Sequence, residues 1–290
     1  MEQFLSALPA TLIQGLIYAL VAFGVYITYP ILDFPDLSTD GSFPLGAAVT
    51  AVLLVRGVSP WAALAAAVGA GILAGLVTGI IHVVFHVRNL LAGIITQTAL
   101  FSINLLIAGA SNVPIGRGTD TIFTSGPAAV LKDAGLGVRR LVVSLVLVLV
   151  VKIALDLYFR TKSGLLLRAV GDNSTLVTSL GRNMGSVKIK GLALAGGVVC
   201  QADKSFTATM GTGQVVFGLA SVIIGISLFR KLSFIQGTTA VLVGSILYKA
   251  CIQAAMQLGF DPFMLKFITA ALFLLVLILS GRKGEAIIHA

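Results

Sequence analysis

The sequence predicts an all-α polytopic membrane protein, and three observations carry that prediction. Of its 290 residues, 57% are hydrophobic and only 11% are charged, whereas about 25% are charged in an average soluble domain. The runs 3–32, 57–87, 89–116 and 205–229 hold no Asp, Glu, Lys or Arg, and a transmembrane helix needs about 20 mostly apolar residues. The roughly ten-residue alternation of a membrane β-barrel strand is absent.

Apolar segments bounded by charged or turn-forming residues predict eight or nine membrane spans. The second segment is short, because Asp40 and Arg56 enclose it, so it is either a full span or a broken, re-entrant one. In the third, Gly71, Gly75 and Gly79 form two G-x-x-x-G steps, which predict close contact with a neighbouring helix. The segments are 9–32, 42–56, 60–82, 89–109, 140–159, 187–202, 213–229, 236–257 and 263–281.

The distribution of basic residues predicts the orientation of these spans. If all nine cross, one set of loops holds 11 Lys and Arg residues and the opposite set holds six. The richer set, which contains 160–190 and the C-terminus, should be cytoplasmic, with the N-terminus outside, or inside if segment 42–56 is re-entrant. The net charge of +9 then reflects these loops and anionic lipid headgroups, and it is no argument for nucleic-acid binding.

Residues 160–190 form a polar stretch between apolar segments. Asn173 or Ser174 can cap a new helix, Leu176, Val177 and Leu180 then share one face, and Gly181 suits a helix end. Two interpretations remain open for this short amphipathic helix. It is either an interfacial helix in an ordinary basic loop or a docking helix for a soluble partner.

The pattern G-x-x-x-R-A-x-G-x-N in this stretch, followed by Leu-Gly, resembles the cytoplasmic coupling loop of ABC importer permeases of the branched-chain amino acid type. Segments 15–48 and 218–225 show the same resemblance, which extends over most of the chain and is closest to permeases for tryptophan, tyrosine or related amino acids. It implies one permease domain over 1–290, with a coupling loop at 160–190 and an outer loop at 110–140. The residues implied in coupling to the ATPase are Gly164, Arg168, Ala169, Gly171, Asn173, Leu176, Leu180 and Gly181.

The partners of such a permease are also implied by the resemblance. They are a cytoplasmic ABC ATPase dimer, an extracytoplasmic solute-binding protein and a second permease copy, in a bacterial inner membrane. The outer residues implied for the binding protein are Arg117, Asp120, Lys132 and Asp133. No glycine precedes either Lys162-Ser163 or Lys204-Ser205, as the phosphate-binding Walker A sequence requires. ATP and Mg²⁺ are therefore expected in the partner, and no cofactor or metal is expected in this chain.

A second polar group predicts the substrate pathway. The sequence DFPDLSTDGS at 33–42 places three acids between apolar segments. These are either formers of a solvated turn or groups that line a route beside a broken helix. Polar residues of the fourth segment either bond between helices or line the same route. The candidate pathway residues are Phe34, Asp36, Thr39, Asp40, Ser42, Thr96, Gln97 and Asn104.

Two other function classes compete with the importer permease. One is a secondary transporter driven by H⁺ or Na⁺, with Asp36 and Asp40 as coupling carboxylates. The other is a membrane-embedded enzyme, for which the sequence offers no clear nucleophile–base or metal constellation. His82 and His86 have helical spacing, but without nearby Cys or acid they predict an interfacial position and no metal site.

Overall fold

The structure is a computed structural model that describes residues 2–116, 119–124, 135–179, 181, 183–199, 205–229, 236–257 and 264–281. Helices dominate these residues, and two short strands accompany them. The helices are α1 (Glu2–Tyr26), α2 (Thr39–Val55), α3 (Pro60–Val83), α4 (Asn89–Ala108), α5 (Gly135–Arg160), α6 (Lys162–Asp172), α7 (Ser174–Ser179), α8 (Met184–Val199), α9 (Gln214–Phe229), α10 (Gly237–Gln257) and α11 (Leu265–Gly281); the strands are β1 (Asn112–Pro114) and β2 (Ser205–Thr207).

Within the described residues, five helical stretches are long and apolar enough to cross a bilayer. They are Leu8–Ile31, Pro60–Val83, Asn89–Ala108, Gly137–Arg160 and Gly237–Gln257. Shorter apolar helices are Thr39–Val55, Gln214–Phe229 and Phe267–Ile278. The chain is therefore a helical, multi-pass membrane protein, as predicted. The exact number of spans remains a prediction.

Helix α1 ends in a π-helical turn, Ile27–Ile31, that contains Pro30. Proline has no N–H and its ring crowds the preceding turn, which accounts for the widened geometry at this point. The chain then reverses at Asp33, whose φ is +49°, and the Phe34 N–H donates to the Thr28 carbonyl at 2.8 Å. Residues 32–38 are thereby folded back against the end of α1.

The bundle has two distinct ends. At one end, called the α6 end, Gly171 lies against the carbonyl of Ile31 and Gly185 lies against Val83. At the other, called the ribbon end, β1 pairs antiparallel with β2. Phe206 of β2 is fully buried and packs with alanines of α2. Helix α2 therefore runs from a start near residues 32–38 to the ribbon end.

Helix α1 forms the centre of the hydrophobic core and packs against α5, α8, α9 and α10. Its residues Ala19, Ala22 and Phe23 are fully buried. Most large side chains of α4 and α5 are instead exposed, as expected for helices at a lipid-facing periphery. The core thus lies around α1, α8, α9 and α10.

Helices α3 and α8 are the most closely packed pair. A Cβ on Gly75 would overlap the Leu192 carbonyl oxygen, and a Cβ on Gly196 would overlap the Gly71 carbonyl oxygen. On Gly79 it would lie 2.9 Å from the Ile189 Cα. The predicted close approach at the G-x-x-x-G steps is therefore confirmed, and α8 is the partner helix.

The α3–α8 contact gives a matched pair of glycine substitutions. We expect Gly75→Ala to lower stability by about 1–3 kcal/mol, because the backbones must separate to admit the methyl group. Gly69→Ala lies in the same helix with no atom within 4 Å, and we expect it to be neutral or stabilising by about 0.5–1 kcal/mol. Thermal unfolding in detergent measures both. Equal melting temperatures for the two variants would contradict the close contact.

Candidate functional site

Helices α2 and α9 begin beside each other and are joined by one carboxylate. Asp40, in the first turn of α2, is half-buried. Its Oδ1 accepts from the N–H of Val215 at 2.8 Å, and its Oδ2 accepts from the N–H of Gly213 at 3.1 Å. These N–H groups lie at the start of α9, where no intrahelical acceptor exists. Asp40 therefore caps a helix distant in sequence and places negative charge near the positive ends of two helix dipoles.

Helix α4 contacts the same place through Asn104. Its Nδ2 donates to the Gly41 carbonyl at 3.0 Å, and the residue is 3% exposed. A Cβ on Gly41 would lie 2.9 Å from the Leu100 Cβ and 3.1 Å from the Gln97 Cα, so α2 begins directly on α4. The predicted shared face of Gln97 and Asn104 thus meets the start of α2.

Two buried side-chain amide oxygens near the starts of α2 and α9 have no hydrogen-bond donor within the described part of the chain. They are Oδ1 of Asn104 and Oε1 of Gln214, the first residue of α9. The Nε2 of Gln214 donates to the Met210 carbonyl at 2.9 Å, so only its oxygen is unpartnered. Buried polar atoms are normally satisfied. The two oxygens are therefore available acceptors for an N–H donor.

Thr96 of α4 has a different role from Asn104. Its hydroxyl lies 3.0 Å from that of Thr78 on α3, and both residues are buried. This is the interhelical hydrogen bond that the sequence left as one of two interpretations for the polar residues of α4. Thr96 therefore joins α4 to α3, whereas Asn104 joins α4 to α2.

The other predicted pathway residues belong to the buried connection before α2. Asp36 is 7% exposed, and its carboxylate accepts from the backbone N–H and the hydroxyl of Ser38, each at 2.8 Å. This is an Asx-turn. Burial raises the pKa of the Asp36 carboxyl, and the two bonds from Ser38 act against that rise. Thr39 and Ser42 are also buried.

Phe34 is fully buried and meets the ring of His82 edge-on, with 5.1 Å between centroids. Asp33 is exposed. The three acids of 33–42 therefore have three environments: Asp33 is exposed, Asp36 is buried within a turn, and Asp40 is half-buried as a cap. The solvated-turn description fits Asp33 alone.

A second candidate surface is α6 at the α6 end. Thr161 caps this helix, because its Oγ1 accepts from the Gly164 N–H at 3.3 Å. Leu167 and Val170 are buried, whereas Leu165 and Arg168 are exposed. The helix is therefore amphipathic, with one face on the bundle and one presented outward.

Two glycines hold α6 directly against neighbouring backbone. A Cβ on Gly164 would overlap the Tyr158 carbonyl oxygen of α5, and a Cβ on Gly171 would overlap the Ile31 carbonyl oxygen at the end of α1. Neither position has room for a side chain. The guanidinium of Arg168 lies 5.0 Å from the centre of the Phe159 ring, a cation–π distance. Helix α6 is therefore fixed to both α1 and α5.

The predicted helix beginning at Asn173 or Ser174 is present, but it is only the six-residue α7. The longer amphipathic helix is α6, which precedes Asn173. Val177 is fully buried, and Gly181 has a φ of +70°, which suits the predicted helix end. Ala169 is half-buried and Asn173 is exposed. Leu180 and the side chain of Leu176 lie outside the described residues.

The end of α5 is joined to the start of α10. Lys152 and Asp156 form an ion pair at 2.7 Å, and the Thr238 hydroxyl donates to the other carboxylate oxygen of Asp156 at 2.5 Å.

Of the four residues predicted to face a binding protein, Asp120 is exposed and accepts from the Thr124 hydroxyl at 3.4 Å. Arg117, Lys132 and Asp133 lie outside the described residues.

Comparison with known proteins identifies the family. A family model described as a branched-chain amino acid transport system permease component matches residues 8–277. The chain belongs to this permease family. The resemblance in the sequence is therefore confirmed, and the protein is the membrane-embedded, transporting component of an ABC-type system.

The chain is also similar to three individual proteins. The chain is 43% identical over 274 residues to a tyrosine transport system permease protein of Clostridioides difficile (strain R20291), covering 92% of this chain and 88% of that protein. It is 27% identical to the uncharacterised protein RP368 of Rickettsia prowazekii (strain Madrid E), covering 97% and 99%. The solved structure of PsaBC from Streptococcus pneumoniae in complex with Fab has a similar fold, with a TM-score of 0.50, 12% identity and 95% of each chain covered.

Sequence reasoning missed the part that α9 takes in the site. Gln214 and the N–H groups of Gly213 and Val215 were not among the predicted residues. A signal was present, because Gly211 and Gly213 precede an apolar run. A Cβ on Gly211 would overlap the Asp40 carbonyl oxygen, and Gly213 has a φ of +89°. The two glycines therefore permit the close approach of α2 and α9.

The buried carboxyl of Asp36 gives a pH-dependent prediction. Its folded-state pKa is raised, so the unfolded chain ionises first as pH rises through about 4, and stability is lost above that pH. In Asp36→Asn, the amide oxygen can still accept from the Ser38 N–H and no charge is buried. We expect this variant to melt above wild type at pH 7, with the difference shrinking as pH falls towards about 4.

Asp36→Ala is the control for the turn itself. It removes the acceptor of the Ser38 N–H, and we expect its free energy of unfolding to lie about 1–3 kcal/mol below that of wild type at about pH 4. The deficit should be smaller at pH 7, where the carboxyl of the wild type also costs stability. Thermal melts in detergent across this pH range provide the comparison. An Asn variant that is less stable than wild type at pH 7 would show that the ionised carboxylate is favoured in the fold.

Proposed function

We propose that this chain is the permease of an ABC importer that carries an amino acid across a bacterial inner membrane. The observation that carries the proposal is the fixed, outward-facing α6. The glycine contacts leave no space between α6 and the ends of α1 and α5. Leu165 and Arg168 are exposed on the face of α6 that points away from the bundle. An apolar residue beside a cation on a rigid surface helix suits a soluble partner.

The mechanism follows from how force would pass through these contacts. A partner ATPase dimer binds ATP and Mg²⁺ and closes, carrying α6 and α7 with it. Because Gly171 touches the end of α1 and Gly164 touches α5, the displacement reaches the core helix and a peripheral helix together. Packed helices move as rigid bodies, so two copies of the chain, a homodimer, would alternate between outward and inward openings.

The substrate class is supported by the tyrosine transport permease that is 43% identical. An amino acid carries an ammonium group, which needs acceptors along its route. The unpartnered oxygens of Asn104 and Gln214 offer such acceptors near the negative charge of Asp40. Asp40 also holds α9, so its charge is shared with the helix start and would bind a passing ammonium weakly. The proposed substrate is therefore an amino acid of the tyrosine type.

The orientation in this proposal places the α6 end in the cytoplasm and the ribbon end outside, in keeping with the loop charges. The N-terminus is then outside and the C-terminus cytoplasmic. A solute-binding protein would deliver substrate at the ribbon end, near Asp120 and the predicted residues Arg117, Lys132 and Asp133. The ATPases would engage α6 and α7 from the opposite side.

One observation favours a second candidate, a proton-driven secondary transporter. Asp36 is a buried carboxyl with a raised pKa, a property that proton-coupled carriers use. Its two hydrogen bonds to Ser38 account for the residue as a turn-former. Uptake by the purified chain under an imposed proton gradient, without an ATPase, would support this second candidate over the importer.

Gly181 tests the ATPase contact. It is exposed with no atom within 4 Å of an added Cβ, but its φ is +70°. We expect Gly181→Glu to lose most ATP-driven uptake and ATPase co-purification, because it puts a bulky charge on the proposed interface. Gly181→Asn is the matched control, since Asn tolerates this backbone conformation. The measurements are uptake into proteoliposomes and pull-down of the ATPase.

Two results would contradict the importer proposal. Uptake by Gly181→Glu at the wild-type rate, with the ATPase still bound, would show that the α7 end is no part of the interface. If the chain alone carries out full ATP-dependent uptake without an ATPase subunit, it is no importer permease.

Asn104 tests the pathway. We expect Asn104→Leu to reduce transport about tenfold or more, since it removes both the acceptor oxygen and the bond to Gly41, while the binding protein's affinity for tyrosine stays unchanged. Asp40→Asn should reduce transport in the same way. Ser102→Leu is the matched control, because Ser102 lies on the exposed side of the same helix. Basal ATPase activity and expression monitor folding, and normal transport by Asn104→Leu would exclude it from the route.

A further inference from the structure

A groove in the apolar surface lies between α3 and α5. It has a volume of about 300 Å³. Leu20 of α1 forms part of its floor and is buried, whereas Ile72 and Val150 at its edges are 38% and 61% exposed. The groove, called the α3–α5 groove, therefore opens towards the lipid. Its walls include Leu64, Val68, Ile72, Val150, Ala154 and Leu194.

The size and chemistry of the groove restrict what fills it. Leu64–Ile72 extend about 12 Å along α3 at 1.5 Å per residue. The residues that line the groove over this length include no charged side chain. An amino acid cargo is unsuited, because the walls are aliphatic and offer no partner for an ammonium or carboxylate. A single flexible hydrocarbon chain matches the length and the aliphatic walls of the groove.

The end of the groove nearest α6 changes from apolar to polar and basic. Tyr158 lines this end, and its hydroxyl lies 3.1 Å from that of Ser163. Lys190 precedes the wall residue Leu194 by four positions, so it shares that face of α8, and it is exposed. Lys162, also exposed, follows Tyr158 by four residues. Tyrosine is typical of the bilayer interface, and such lysines attract anionic headgroups.

We propose that the α3–α5 groove binds one acyl chain of an anionic phospholipid, whose phosphate lies at Lys190 and at the hydroxyls of Tyr158 and Ser163. The chain follows the aliphatic walls from Tyr158 towards Leu64. The headgroup lies where the basic side chains begin. This lipid site is independent of the substrate route at Asp40 and of the surface that α6 presents.

Occupation of this site would fix the position of α5. Among the five long apolar helices, α5 is the least buried, with 17% of its most apolar window inside the protein. It leads into α6 through the Thr161 cap, so the acyl chain supports the helix on which α6 rests. A bound lipid therefore stabilises α5, and the α6 that leads from it, in the arrangement that the structure shows.

The experiment measures lipid binding to the full-length, delipidated protein. Native mass spectrometry follows titration with phosphatidylglycerol and, separately, phosphatidylcholine. Wild type should bind one phosphatidylglycerol per chain ahead of non-specific additions. Ala154→Phe fills the groove and should weaken this binding about tenfold or more, the equivalent of two lost methylene contacts. Ala271→Phe, on an exposed position of α11, is the matched control and should bind as wild type.

A second pair of variants tests the headgroup contact. Lys190→Gln should weaken phosphatidylglycerol binding about fivefold and leave phosphatidylcholine binding unchanged, since one lysine near an anionic headgroup supplies about that factor. Arg88→Gln removes an exposed basic residue at the start of α4 and should have no effect. The single tryptophan, Trp61, lies one turn from Leu64, so brominated acyl chains should quench its fluorescence in a saturable manner that Ala154→Phe weakens.

Three results would overturn the proposal. Equal binding of phosphatidylglycerol by Ala154→Phe and Ala271→Phe would place the lipid elsewhere. Loss of self-association in Ala154→Phe with unchanged lipid binding would make the groove a contact between copies of the chain. Equal affinity of the wild type for phosphatidylglycerol and phosphatidylcholine would show that Lys190 gives no preference for an anionic headgroup.

Discussion

The structure depends on how the start of α9 is satisfied inside a bundle that lipid surrounds. The first N–H groups of a helix have no intrahelical acceptor, and each costs about 1–3 kcal/mol if it is buried without a partner. Asp40 supplies acceptors for two of them. Because that carboxylate belongs to α2, the capping bond also sets the position of α2 against α9. The connection folded around Asp36 and the contact of Gly41 with α4 then follow from where α2 must begin.

A second constraint is the absence of side chains between certain backbones. At Gly75 and Gly196, α3 and α8 meet backbone to backbone, and at Gly164 and Gly171, α6 meets α5 and the end of α1 in the same way. Such contacts have little room to adjust, since interiors are packed as densely as organic crystals. Motion is therefore transmitted through these contacts and taken up elsewhere, as at the lightly buried α5. The bundle combines rigid pairs with a looser periphery.

Much of the helical arrangement was predictable from the sequence, because apolar length and glycine spacing are local properties. The segments 60–82 and 213–229 agree within two residues with α3 and α9, and the close approach along Gly71, Gly75 and Gly79 was predicted from spacing alone. The π-helical turn could be suspected only from Pro30, and the pairing of β1 with β2 joins strands that are too short to show an alternating pattern.

The site was predicted less completely, for physical reasons. Asn104 and Gln97 were found because helical spacing places them on one face. The partner of Asp40 was missed, since the bond joins residues 173 and 175 positions apart and nothing local indicates which N–H groups a carboxylate will meet. The extent of α6 was missed because only Thr161 separates it from α5, so no glycine- or proline-containing loop marks where the new helix begins.

The glycine contacts of α6 also divide the surface of the protein into fixed and exchangeable parts. The buried positions Gly164 and Gly171 determine where the helix lies, whereas an exposed position such as Leu165 determines what it displays. If α6 is the docking helix proposed above, a designer could graft the outward-facing residues of another transporter onto it and change its choice of soluble partner without disturbing the bundle. The same separation would let gene duplication produce permeases with new partners through a few surface substitutions.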